Sequence, residues 1–156
     1  AMALELARQG HDVAVHYASS AAEAESVAAE IRDLGRQAVT LRADLLDEAQ
    51  VTPLVARAAE ALGGPILTLV NNASIFEHDD IATATRQSWD RHLESNLRAP
   101  FVLIQALAAQ IPDPPSRSDG RIEGNSDPVG VELLDTLCHR HVRRASLFDV
   151  GPDYSL

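Results

Sequence analysis

Three times within the first 71 residues a helix-type segment ends at glycine and is followed by a short β-branched or apolar segment. Residues 1–9 are strong helix formers that stop at Gly10, a residue suited to the left-handed position beyond a helix end. Val13-Ala14-Val15-His16-Tyr17 then reads as a strand, and Ser19 and Ser20 introduce an alanine-rich helix ending at Gly35. The unit repeats with a strand over 37–42, a helix over 47–62 stopped by Gly63-Gly64-Pro65, and a third strand over 66–71. That third strand is continuously apolar until Asn71, as expected for a parallel strand covered on both faces. Such alternation predicts an α/β fold with a Rossmann-like, doubly wound parallel sheet. At 156 residues and 46% hydrophobic, one domain with a substantial core is the expected scale.

A fourth helix is predicted over 88–111, with Pro100 inside it. Proline lacks an amide hydrogen and presses on the carbonyl four residues earlier, so a kink is expected there and the carbonyl of Asn96 is expected to be freed. After Ile111 the rhythm ends in Pro112, Pro114 and Pro115, followed by polar residues. The chain therefore divides into 1–111, a partial dinucleotide-binding domain, and 112–156, a divergent loop-like tail in which residues 132–144 can form a short helix. The break is the pattern that a reading-frame change or a misplaced gene boundary leaves, which the coding DNA tests.

The charge of −10 argues against nucleic acid and an anionic membrane surface as partners. The single cysteine, Cys138, permits no internal disulfide, and no apolar run approaches the roughly 20 residues of a spanning helix. A cytoplasmic protein is expected. Cys138-His139-Arg140-His141 fits no strong zinc spacing, and no metal site is expected. His11, His16, His78 and His92 read as surface or packing residues, and Glu77, Asp79 and Asp80 as a solvated turn.

Asp44-Leu45, Asn71-Asn72-Ala73-Ser74 and Asn96, in this order between the repeated units, resemble the short-chain dehydrogenase/reductase family over residues 1–110. The resemblance implies an NAD(P)-dependent oxidoreductase. Asp44 would receive the adenine amino group beside the Leu45 amide, although Asp at a helix entry is also an ordinary capping residue. Asn71 and Asn72 would stabilise the strand crossing, and the small Ala73 would let the adenosine ribose approach. The turn after the strand at 13–17 reads Ala18-Ser19-Ser20 and holds no acid, so the ribose hydroxyls of NAD lack their acceptor. Ser19 and Ser20 favour NADP, although the family's usual arginine is absent there. Ser74 and Phe76 are similar to pteridine-reductase-like members, in which the serine contacts the pterin and the phenylalanine stacks on it. A small-molecule substrate, a pterin or a carbonyl compound, is thereby implied.

Asn96 matches the asparagine of the family's catalytic tetrad. The Tyr-x-x-x-Lys pair has no match, because the chain contains 13 arginines and no lysine, and Tyr17 and Tyr154 lie in the wrong context. Tyrosine without a neighbouring cation keeps a pKa near ~10 and is a poor proton donor at neutral pH. The family's Gly-rich phosphate turn and first strand would precede Ala1, and that strand would lie between those at Val13 and Leu67. Its loss would leave both with unpaired edges and weaken or abolish NADPH binding. The expectation is thus a fragment of a reductase, inactive as this chain stands; the alternative is a non-catalytic pseudoenzyme or interaction protein that forms a homo-oligomer through the 88–111 helix.

Overall fold

A computed structural model of the chain describes residues 1–110 and 145–150. The elements run α1 (Met2–Arg8), β1 (Asp12–Tyr17), α2 (Ala21–Asp33), β2 (Ala38–Arg42), α3 (Glu48–Val51), α4 (Leu54–Leu62), β3 (Ile66–Val70), α5 (Arg86–Leu93), a π-helical turn (Glu94–Arg98), α6 (Ala99–Ala108) and β4 (Ala145–Val150). The four strands form one parallel sheet in the order β2-β1-β4-β3. Helices cover both faces. Val13 and Val15 pack with α1 and α2 through Ala7, Ala24, Ala28 and Ile31, whereas Ala14, Leu41 and Ile66 pack with α4 and α6 through Leu54, Ala58, Leu62 and Leu103. This alternation along β1 is the period of two that a strand buried on both faces requires.

The strands at 12–17, 38–42 and 66–70 and the helix at 21–33 form where the sequence predicts them, and Gly10 at φ 93° and Gly63 at φ 71° occupy the left-handed turns that end α1 and α4. The helix expected over 47–62 is instead two. Asp47 caps α3 by accepting from the Ala49 amide at 3.0 Å, and Pro53, which has no amide to donate, separates α3 from α4. The strand at Ile66–Val70 is less covered than its apolar sequence predicts: Ile66 is buried but Leu67 is 38% exposed. Among the described residues β3 lies at the sheet's edge, which accounts for the difference.

The largest correction concerns the tail. Residues 145–150, expected within a loop-like tail, form a central strand, and β1 and β3 do not have the unpaired facing edges expected for them. β4 stands between them, in register with β1 from Asp12 opposite Ala145 to Tyr17 opposite Val150, and paired with β3 from Ile66 to Val70 with a register shift between Ile66 and Thr68. Ser146 and Leu147 are fully buried; Leu147 enters the α4/α6 core and Ser146 Oγ lies 2.8 Å from His11 Nδ1. The remaining tail residues, including the helix expected over 132–144, lie outside the described residues.

Because Leu147 is core, Leu147→Ala should cost about 2–5 kcal/mol in urea unfolding followed by circular dichroism. Ile81→Ala, at a fully exposed position, should stay within about 0.5 kcal/mol. Equal midpoints for the two variants would remove β4 from the sheet.

Candidate functional site

In a parallel sheet all strands end at one edge, and the loops leaving that edge carry Ser19, Ser20, Asp44, Leu45 and Asn71 to Phe76. Ser19 and Ser20 follow β1, Asp44 and Leu45 follow β2, and Asn71 to Phe76 follow β3. Asp44 is exposed, and its Oδ1 accepts from the Leu46 amide at 2.9 Å while its own amide donates to Gln50 at 3.0 Å. Leu45 buries its side chain in the core beside Leu54 and Leu103. Ala73 packs on the same core. Ser20 stands at the N-cap of α2, but its hydroxyl caps no amide, and Ser19 is exposed.

Asn96 joins two of these elements. Its Oδ1 accepts from the Ile75 amide and its Nδ2 donates to the Ile75 carbonyl, both at 2.9 Å, so one carboxamide satisfies both backbone polar groups of Ile75 in the β3 loop. The helical run from Arg86 to Ala108 widens to a π turn around Asn96, and the amide of Ala99 donates to the carbonyl of Glu94, five residues back. The kink expected at Pro100 takes this form: Pro100 supplies no amide to the Asn96 carbonyl, and π turns relieve such a lost bond and recur at functional sites. The turn is held from its other side by Arg98, whose Nε and Nη2 reach the two Glu48 oxygens at 2.9 and 2.7 Å. That hydrogen-bonded guanidinium holds the Glu48 carboxyl below the usual range.

Phe76 is 68% exposed, with its ring edge-on to His78 at 6.5 Å and to His92 at 6.4 Å. It borders a cavity of about 390 Å³ with Ile81, Trp89 and Leu93. His92, expected only to pack, is an organiser of this loop. The Ser88 carbonyl can only accept and the Glu77 amide can only donate, so Nδ1–H donates to the former at 2.8 Å and Nε2 accepts from the latter at 3.0 Å. No local pattern announces that pairing, because its partners lie 15 residues apart.

The expected solvated turn at Asp79-Asp80 is also ordered. Asp80 Oδ1 accepts from the amides of Ala82 and Thr83 at 2.8 and 2.9 Å, and these bonds hold its carboxyl below the ordinary value. Arg91 pairs with Glu77 at 2.6 Å. Among the described residues no three acids, histidines or cysteines are grouped to hold a metal, and no helix is long and apolar enough to cross a membrane. Cys138 to His141 and Tyr154 lie outside the described residues.

The model of the short chain dehydrogenase family matches residues 1–123. The chain belongs to that family. It is 38% identical over 106 residues to the short-chain dehydrogenase/reductase FrzI of Cladobotryum, covering 68% of this chain and 41% of that protein. It is 33% identical to the 3-oxoacyl-[acyl-carrier-protein] reductase FabG of Staphylococcus aureus, covering 70% and 44%. Among solved structures, a Burkholderia cenocepacia short chain dehydrogenase in complex with NADP is 40% identical with a TM-score of 0.65, over 69% of this chain and 44% of that one. FolM alternative dihydrofolate reductase 1 of Brucella suis, also in complex with NADP, is 36% identical with a TM-score of 0.66, over 72% and 47%. The chain therefore spans less than half the length of each of these relatives.

A depressed folded pKa means that the Asp80 contribution is present above the unfolded value and lost as pH falls through the folded one. Trp89 is the chain's single tryptophan and borders the same cavity as Asp80. Its fluorescence should change below about pH 4, and Asp80→Asn should remove that transition; an identical acid titration in the variant refutes the assignment.

Proposed function

We infer that this chain carries part of an NADP-dependent short-chain oxidoreductase similar to pteridine reductases. The observation that carries the reading is the Asn96 clamp on the Ile75 peptide, because it fixes the backbone between Ser74 and Phe76 at the carboxyl edge of the sheet. In this reading Asp44 and the Leu45 amide receive the adenine, Ala73 admits the ribose, and Ser19 and Ser20 face the added phosphate. Asn71 and Asn72 hold the crossing of the loop. Ser74 contacts a flat heterocycle and Phe76 stacks on it. Asn96 keeps the loop in place and offers its carbonyl to a water. The similarity to FolM, named as a dihydrofolate reductase and solved with NADP, supports both the cofactor and a pterin-type substrate.

When bound, the nicotinamide supplies the hydride. A proton must still reach the reduced atom, and the chain offers no Tyr-x-x-x-Lys pair to deliver it; arginine, which never deprotonates, is no substitute for the lysine. The chain as given is therefore read as inactive. NADPH titration by nicotinamide fluorescence should show weak saturable binding, and NADPH with dihydrobiopterin should show no oxidation above the uncatalysed rate. Steady turnover would overturn the inactivity; absence of any binding would overturn the cofactor role.

A second reading, self-association, is favoured by the helix face beyond the site. Leu93, Leu97, Phe101 and Ile104 follow one another at helical spacing and are 41, 64, 50 and 52% exposed. A contiguous apolar stripe of this kind fits a second copy of the chain better than water. Leu97→Glu should convert a dimer or larger assembly to monomer in sedimentation velocity, and an unchanged sedimentation coefficient would exclude this helix as the interface.

A further inference from the structure

The turn after β1 lacks the arginine that the family usually places there, yet a guanidinium reaches it from the neighbouring strand. Arg42 is the last residue of β2 and stands in register with Tyr17, the last residue of β1. Register partners in a parallel pair project from the same face of the sheet. Tyr17 packs in the cluster of α1 and α2, and Thr40, two residues before Arg42, reaches Glu25 on α2 with its Oγ1 at 3.4 Å. Arg42 thus lies on the α2 face, at the carboxyl edge, beside residues 18–20. Its Nε donates to the Ala18 carbonyl at 3.3 Å, which anchors the side chain against the turn.

We propose that Arg42 is the residue by which this chain distinguishes a 2′-phosphorylated dinucleotide from its unphosphorylated counterpart; the inference rests on the dinucleotide reading above. The Nε bond engages one of five donors and leaves the two terminal nitrogens for a bidentate contact. Arg42 is exposed, and among the described residues no carboxylate pairs with it. Glu25, the α2 acid that Thr40 reaches, is engaged by Arg32 at 2.6 Å, and that bond holds its carboxyl ionised below the usual range. In a chain of net charge −10, an unpaired guanidinium beside the exposed Ser19 and the uncommitted N-cap hydroxyl of Ser20 is a local match for a phosphate monoester dianion. A cation from the next strand restores the charge that Ala18-Ser19-Ser20 lacks.

An anchoring role for the turn alone would affect phosphorylated and unphosphorylated nucleotides alike, and this separates the two explanations. The full chain and its Arg42→Gln variant are titrated with NADPH, NADH, 2′,5′-ADP and 5′-AMP by calorimetry. The wild type should prefer NADPH over NADH and 2′,5′-ADP over 5′-AMP. Arg42→Gln should weaken the two 2′-phosphorylated ligands about 10- to 100-fold while leaving NADH and 5′-AMP unchanged. Retention of the preference in Arg42→Gln, or equal weakening of all four ligands, overturns the assignment. Wild-type protein that binds 2′,5′-ADP through Arg42 but not NADPH keeps the assignment and removes the dinucleotide reading. Wild-type protein that binds neither removes both.

Discussion

Everything at the carboxyl edge depends on the pairing of β4 with β1 and β3. A strand inside a parallel sheet must satisfy backbone donors and acceptors on both sides, because a buried unpaired amide or carbonyl costs as much as a lost hydrogen bond. β1 is paired with β2 on one edge and β4 on the other, and among the described residues β3 reaches the sheet through β4 alone. Without that strand the loops after β1 and β3 would have no fixed spacing. The strand is tied in by side chains as well as by its ladder: Leu147 fills the α4/α6 core, and Ser146 sits at hydrogen-bond distance from His11 at the start of β1.

On that frame the candidate site is assembled by two polar clamps at the π turn. Asn96 holds the β3 loop and Arg98 holds Glu48 at the start of α3, so the turn bridges the loops after β3 and β2. Pro100 removes one helical bond, and the widened turn puts the Asn96 side chain opposite the Ile75 peptide. The adjoining loop is then shaped by His92 and Asp80, each satisfying backbone amides that would otherwise need water. A site of this kind is defined more by how its backbone is held than by reactive groups of its own.

Much of the fold was legible in the sequence because it follows from local rules. The glycines after α1, α2 and α4 mark real stops, and Asn71-Asn72 marks the true end of β3. The break at Pro53 was not read from the sequence, which predicted one helix over 47–62, although a proline within a helical pattern signals its own missing bond. The edge exposure of Leu67 was not legible, because an apolar strand reads the same whether one or two neighbours cover it. His92 and Arg42 escaped for a related reason: their partners, Glu77 and Ala18, are brought close by the turn of a loop and by a strand pairing.

The sequence by itself determined the family, the order of the strand-helix units, the loops that carry Ser19, Asp44 and Asn71 to Phe76, and the helical run that carries Asn96, since helix period, strand alternation and glycine stops act over a few residues. Only the tertiary structure decided that Ala145–Val150 is the strand between β1 and β3, that Arg42 lies against the Ala18 turn, and that Asn96 grips Ile75. Parallel pairing joins residues more than 130 positions apart, as from Asp12 to Ala145, and the stability of such a pair depends on burial supplied by the whole core. A six-residue stretch outside the repeated units carries no local sign of that burial.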